Sequence, residues 1–216
     1  MKVFIDAGAN IGQSVKSFTD NFPDAKEYKI FSFEPASTER IKSRLKKVIN
    51  KRKKQGYNIE YHKKAVWIYD GEVTFYEQDN EGSTTEKTKN NITSKTRKTK
   101  EKKVECIDLA KFIDDLPDDA YIILKLDIEG GEYKVIDHLD KQGALKKVSE
   151  VFIELHACKI KSCTIEDDYA LLETLAKHNL SPVRWEGKSN KVDRSRTYTK
   201  DIILHDWSRY KRIKKK

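Results

Sequence analysis

The segment Tyr121-Ile122-Ile123-Leu124-Lys125-Leu126-Asp127 is a nearly unbroken apolar run that stops at a carboxylate. Strict alternation of apolar and polar residues would mark a strand with one wet face. A near-continuous run marks a strand covered on both faces, which is the situation inside a parallel sheet flanked by helices. Val151-Phe152-Ile153-Glu154-Leu155 repeats the pattern, and Lys2 to Asp6 and Lys29 to Glu34 do so in shorter form. Between these runs the period changes to that of a helix. Ile41, Leu45, Val48 and Ile49 share one face, as do Val135, Ile136 and Leu139, and then Leu171, Leu172, Leu175 and Ala176. Alternating strands and helices without an internal repeat predict an α/β fold with a mainly parallel, doubly wound sheet.

The rest of the chain is less regular. Asn58 to Tyr61 and Lys64 to Ile68 read as strands, and Asp70-Gly71 reads as a hairpin turn into Glu72 to Tyr76. From residue 79 to 103 Lys, Thr, Asn and Glu leave almost no apolar anchor, which predicts a mobile loop. Pro182 to Glu186 and Asp201 to His205 read as the last strands, and 209–216 as a basic tail. The length of 216 residues fits a single domain over 1–216.

Composition narrows the function classes. No apolar stretch approaches the roughly 18 residues of a membrane span, and no charged-then-apolar leader opens the chain. Three cysteines, Cys106, Cys158 and Cys163, are an odd and sparse set, which favours a reducing compartment over a disulfide framework. A cytoplasmic protein is the expectation. The net charge of +9 is concentrated at Lys51 to Lys54, Lys87 to Lys103 and Lys211 to Lys216. Such clusters read either as a solvated lysine-rich surface, the commoner case, or as a landing site for nucleic acid.

In a doubly wound sheet, ligands sit beyond the carboxyl ends of the strands where strand order reverses. Polar residues cluster at those ends: Asp6, Glu34, Asp127, Glu154 and His156. The turn Asp6-Ala7-Gly8-Ala9-Asn10-Ile11-Gly12 spaces its glycines G-x-x-x-G, so Asn10 stands where a dinucleotide fingerprint has its second glycine. A pyrophosphate-bearing dinucleotide is disfavoured, and no G-x-x-x-x-G-K-[ST] phosphate loop is present. A nucleoside ligand without a pyrophosphate remains. Glu34, 22 residues beyond Gly12, ends the second strand, where an acidic side chain takes both ribose hydroxyls. S-adenosylmethionine fits this reading, its ribose on Glu34 and its amino-acid end at the glycine turn and Asp6.

These pieces form a recognisable set: Phe4 to Gln13, Phe33-Glu34-Pro35, Ala65-Val66 leading to Gly71-Glu72-Val73, Gly82-Ser83, Leu124 to Glu132, and Ile153 to His156. In this order they are spread across residues 3 to 156, about 70% of the chain, and with them the sequence resembles the FkbM family of S-adenosylmethionine-dependent methyltransferases, which act mostly on sugar and natural-product hydroxyls. The resemblance implies a seven-stranded Rossmann-like sheet with an extra hairpin strand, and transfer of methyl to a sugar hydroxyl of a glycan or glycoside. It implies cofactor contacts from Asp6, Gly8, Ala9, Asn10, Ile11, Gly12, Glu34, Pro35 and Asp127, with Ala65 against the adenine. The lysine-rich composition is also similar to that of family members from large DNA viruses that decorate their own glycans, for which the compartment would be the host cytoplasm. Two departures stand out: the chain begins almost on its first strand, and the Lys/Thr stretch replaces a segment that helps shape an acceptor pocket.

An alcohol is a poor nucleophile at neutral pH, so a base or a metal must help remove its proton. The candidates are Asp127 and His156 as base, with Glu129 and Glu132 orienting the acceptor and Glu154 beside them. A bland reading stands next to each: Glu132 at a helix start is favoured by the helix dipole alone, and His156 fits an ordinary strand-end histidine. Mg²⁺ is a further expectation, held by Asp127, Glu154 and His156, with Glu129 in reach. Cys158 and Cys163 lie near His156, but their spacing is not a recognised zinc site. Gly82-Ser83-Thr84-Thr85 reads either as a loop near the cofactor or as an exposed turn. Two other functions compete with sugar methylation: a nucleic-acid methyltransferase, suggested by the basic clusters but lacking an N-P-P-Y-type motif, and a binding module that keeps only the fold. The expected partner is a carbohydrate, with nucleic acid disfavoured.

Overall fold

A computed structural model describes residues 1–78, 82–87, 99–185 and 196–213, with side chains given as far as residue 208. Its centre is a six-stranded, wholly parallel sheet. The strands are β1 (Lys2–Ala7), β2 (Tyr28–Phe33), β3 (Asn58–His62), β7 (Tyr121–Leu126), β8 (Val148–Ile153) and β9 (Val183–Arg184), in the spatial order β3-β2-β1-β7-β8-β9. From β1 the chain steps outward to β2 and β3, then returns to lay β7 on the opposite side of β1. The order therefore reverses between β1 and β7. Asp6 pairs in register with Lys125, and Ala7 with Leu126.

Both faces are covered, as the apolar runs demand. On one face Phe4 stacks on Phe18 of helix α1 (Gln13–Asn21), ring centroids 4.0 Å apart, and helix α2 (Glu39–Lys54) adds Leu45 and Ile49. On the other, Val3, Ile5, Ile122 and Leu124 pack with helices α3 (Leu109–Asp114) and α4 (Glu132–Gln142) and with Leu171 and Leu175 of helix α5 (Ile165–Lys177). Ile122, Ile123, Leu124 and Leu126 are all fully buried, which is why the β7 run shows no alternation.

The remaining strands, β4 (Ala65–Trp67), β5 (Gly71–Gln78) and β6 (Thr99–Asp108), form a separate sheet in the order β4-β6-β5. The expected seven-stranded sheet with an extra hairpin strand is thus six strands plus a small mixed sheet. Asp70-Gly71 does connect two strands, but β5 pairs antiparallel with β6, which lies between β5 and β4. A turn signal fixes a change of direction, not a partner. Strand β6 begins at Thr99, inside the stretch expected to be a loop; its Lys100, Glu101 and Lys103 sit at the rim of a small sheet and need little apolar content. Most of the rest of that stretch lies outside the described residues.

The second correction is at the end of the chain. Asp201 to His205, expected as a strand, lies in helix α6 (Lys200–Ile213). Ile203 is buried and Trp207 follows one helical turn later, a spacing that a short apolar run such as Ile202-Ile203-Leu204 does not reveal. The expected basic tail overlaps this helix, and 214–216 lie outside the described residues. No helix among the described residues is long and apolar enough to cross a membrane.

Candidate active site

The ends of β1, β2, β7 and β8 meet beside the point of reversal. The chain leaves β1 through Gly8, whose φ of +84° is natural to glycine and whose absent Cβ would lie 1.9 Å from the Asp127 carbonyl oxygen. The amides of Gly8 and Ala9 both donate to the Phe33 carbonyl, and the Asp127 amide donates to that of Ala7. Three strand ends are thereby tied into one floor. Ala9 is buried in it, Ile11 packs with Ala36 and Ile41, and Gly12 abuts Val48 of α2, a packing role.

Glu34 follows β2 immediately. One carboxylate oxygen accepts the Asn10 amide at 2.7 Å and the other accepts the Ala36 amide at 2.8 Å. Each keeps a second lone pair. Burial raises its pKa, against the lowering by these two amides. Pro35 is buried behind it, and Ala65 lies buried in β4, near Tyr61 and His62 at the end of β3, which bond the Glu34 backbone.

Asp6 is fully buried under the turn, where Ser14 donates to it at 2.6 Å. The structural reason is Lys125, a charged residue in the middle of the apolar β7 run. Its buried ammonium lies 3.3 Å from Asp6 Oδ1 and 3.6 Å from Asp127, and it donates to the carbonyls of Ala7 and Gly8 at 3.1 and 2.7 Å. Burial opposes that charge, yet Asp6 and Asp127 raise its pKa. The lysine staples the glycine turn to β7. Nothing in periodicity singles it out, although an ammonium flanked by Leu124 and Leu126 in such a run is itself the signal.

On the other side of the crevice stands an acidic cluster around a histidine. His156, after β8, is fully buried. Its Nδ1 lies 3.0 Å from Glu132 Oε1, and its Nε2 lies 3.4 Å from Glu129, 3.5 Å from Glu154 and 3.9 Å from Asp127. Burial works against a charge on the ring, but Glu132 and Glu129 outweigh it and raise the pKa to about 10. Burial pushes the Asp127 carboxyl up to about 7, against the pull of Lys125. Glu154 is held well below the carboxylate range by His156 and Lys159, despite its own burial, and Lys159 binds its Oε1 at 3.0 Å.

Glu132, expected to orient an acceptor, points into the protein interior. It is wholly buried and accepts the Ile128 and Gly130 amides, both at 2.8 Å, besides facing His156. It builds the turn that carries Glu129, whose φ is +62°. Asp127 and Glu129 stay partly open, with side chains 19% and 22% exposed. The segment 82–87 is no plain exposed turn: Thr84 is buried and its hydroxyl donates to the Glu129 carbonyl at 2.7 Å.

Tyr133 and Asp168 also escaped the sequence. The Tyr133 oxygen accepts the amides of His156 and Ala157 at 2.9 and 2.6 Å and donates to Asp168, which Trp207 of α6 also bonds. Among the described residues the only close triplet of potential metal-binding side chains is Asp127, Glu129 and His156. Cys158 and Cys163 take no part in it, and the three cysteines are free.

Among curated proteins, none matches the sequence. A crystal structure of methyltransferase FkbM from Methylobacillus flagellatus KT is similar with a TM-score of 0.43 and 13% identity, over 95% of this chain and 38% of that one. The chain thus spans well under half the length of that protein. The model of the methyltransferase FkbM domain matches residues 6–179, from the Asp6 turn through the His156 cluster to the end of α5, and the chain belongs to that family.

Proposed function

We propose that the chain transfers a methyl group from S-adenosylmethionine to a hydroxyl oxygen of a sugar. One observation carries this reading: the Gly8–Asn10 turn and Glu34 on one side of the strand reversal face Asp127 and its acidic neighbours on the other. Family membership supports methyl transfer, and the motifs shared with a family that acts on hydroxyls support the oxygen acceptor.

The donor set suits the cofactor. Glu34 offers two buried carboxylate oxygens, each spending one lone pair on a backbone amide, which matches the paired hydroxyls of a ribose. Asn10, left-handed at φ +48°, and Gly8 present backbone at the crevice edge. Asp6 acts as a positioning residue, because Ser14 and Lys125 occupy it from within. When bound, S-adenosylmethionine supplies an electrophilic methyl carbon whose bond to sulfur breaks as the acceptor oxygen takes it.

The protein must align the acceptor and remove its proton. Asp127, backed against Gly8 and partly open, takes the proton that the acceptor hydroxyl gives up. Glu129, on the same rim, orients the sugar. Glu132 and Tyr133 hold His156 from behind, one through its ring and the other through its backbone amide.

The test is transfer of labelled methyl from S-adenosylmethionine to a panel of monosaccharide-capped oligosaccharides, with product mapping. Asp127→Asn should lose most turnover while keeping S-adenosylhomocysteine binding by calorimetry. No binding of that product by the unaltered chain, or full activity in Asp127→Asn, refutes the reading.

A further inference from the structure

His156 poses a problem in hydrogen bonding. Both Glu132 oxygens accept backbone amides, and Nδ1 of the ring lies 3.0 Å from one of them. The opposite nitrogen, Nε2, is buried and has no hydrogen-bond partner. It points at oxygens of Glu129, Glu154 and Asp127 at 3.4, 3.5 and 3.9 Å, which are longer than hydrogen bonds. Nε2 is thus a buried nitrogen aimed at three carboxylates and hydrogen-bonded to none of them.

We propose that Asp127, Glu129 and His156 bind a divalent first-row transition-metal ion, of the Mn²⁺ or Zn²⁺ kind. Two ligands each about 2.1 Å from a shared ion stand roughly 3.0 to 3.5 Å apart; the His156–Glu129 separation of 3.4 Å lies in that range, and the His156–Asp127 separation of 3.9 Å closes to it with a small side-chain shift. The ring is oriented as metal-bound histidines are, with a carboxylate on the far nitrogen. Glu129 is held in place for such a role, because its backbone is left-handed and Thr84 pins its carbonyl. Charge points the same way. Asp127, Glu129, Glu132 and Glu154 converge on the ring, and Lys159 is committed to Glu154. Glu154, expected as a ligand, stands 3.5 Å from Nε2 and also receives Lys159 at 3.0 Å. An imidazole nitrogen in the set departs from the all-oxygen shell Mg²⁺ prefers and matches Mn²⁺ or Zn²⁺.

The site lies in the same crevice as the proposed methyl transfer, but its geometry stands without that reading. The test uses the full chain stripped by a chelator and dialysed, titrated with Mn²⁺ by electron paramagnetic resonance and calorimetry. One ion per chain is expected, displaced by Zn²⁺ and not by an equal concentration of Mg²⁺. Glu129→Gln, at the open rim, should fold as judged by circular dichroism and weaken Mn²⁺ binding by at least about tenfold. No Mn²⁺ uptake by the unaltered chain overturns the proposal and leaves His156 as a buried imidazolium balancing the carboxylates. Equal binding by Glu129→Gln and Asp127→Asn also overturns it, since the ion would sit elsewhere. S-adenosylhomocysteine binding, measured in parallel, separates the two readings: if the nucleoside binds and Mn²⁺ does not, only the metal site fails.

Discussion

Replacing Lys125 with methionine removes the staple under the glycine turn while nearly preserving volume. The ammonium makes two charge-assisted hydrogen bonds to the Ala7 and Gly8 carbonyls and lies 3.3 Å from the fully buried Asp6 carboxylate. Each such bond contributes about 1.5–3 kcal/mol. Orphaning one partner of a buried ion pair costs about 3–5 kcal/mol, because the remaining charge has no solvent to turn to. Ser14 still donates to Asp6, and the Ala7 carbonyl keeps the Asp127 amide, so the lower half of the range, about 3–4 kcal/mol, is the expected loss. Urea unfolding of Lys125→Met, Asp6→Asn and the double variant measures it as a cycle. The double variant should be less damaged than the sum of the singles by about 2 kcal/mol or more, as partners in one network are. S-adenosylhomocysteine affinity should fall in parallel as the turn loosens. A loss below about 1 kcal/mol in Lys125→Met, or strictly additive effects, would show that the buried pair does not hold the turn.

Gly8→Ala should prevent folding or cost more than about 3 kcal/mol, since the new Cβ meets the Asp127 carbonyl at 1.9 Å; Gly56→Ala, with φ +90° and open space around it, should cost only the left-handed strain of about 1–2 kcal/mol. Comparing their denaturation midpoints separates contact from backbone strain. Tyr133→Phe orphans the His156 and Ala157 amides and one oxygen of Asp168, and should lose about 2–3 kcal/mol in urea unfolding. If its turnover also drops while S-adenosylhomocysteine binding is unchanged, the tyrosine positions the acidic side of the crevice. His62, stacked on Phe33 at 4.7 Å, has its pKa lowered by burial despite Glu60. The unfolded chain therefore takes up the proton first, and this contribution is intact above the unfolded value near 6.5 and fades as pH falls below it. His62→Phe should flatten that part of the stability–pH curve; an unchanged slope would assign it to other groups.

The central sheet was legible because burial on both faces leaves its mark on every residue of a strand. Leu124 and Phe152 could not be anything but interior. The placement of Glu34, Asp127 and His156 just beyond strand ends was equally legible, since a charged residue after an apolar run marks where the strand leaves the core. What the sequence hid has three physical sources. Strand pairing is nonlocal, so Asp70-Gly71 announced a turn without saying that β6 would come between its two strands. The run Ile202-Ile203-Leu204 is too short to separate a strand from a buried helix turn. Roles of buried polar groups depend on partners distant in sequence: Glu132 faces inward because His156 and two amides are there to receive it, and Lys125 finds Asp6 only through the register of β1 on β7.

The hydroxyl of Thr84 on the Glu129 carbonyl adds a polar tie between the small sheet and the acidic rim to the apolar core that the two sheets already share. Thr84 also bridges to Tyr76 of β5, so the small sheet grips the acidic rim directly. A change in the 82–87 segment therefore reaches the Glu129 backbone without passing through the six-strand platform.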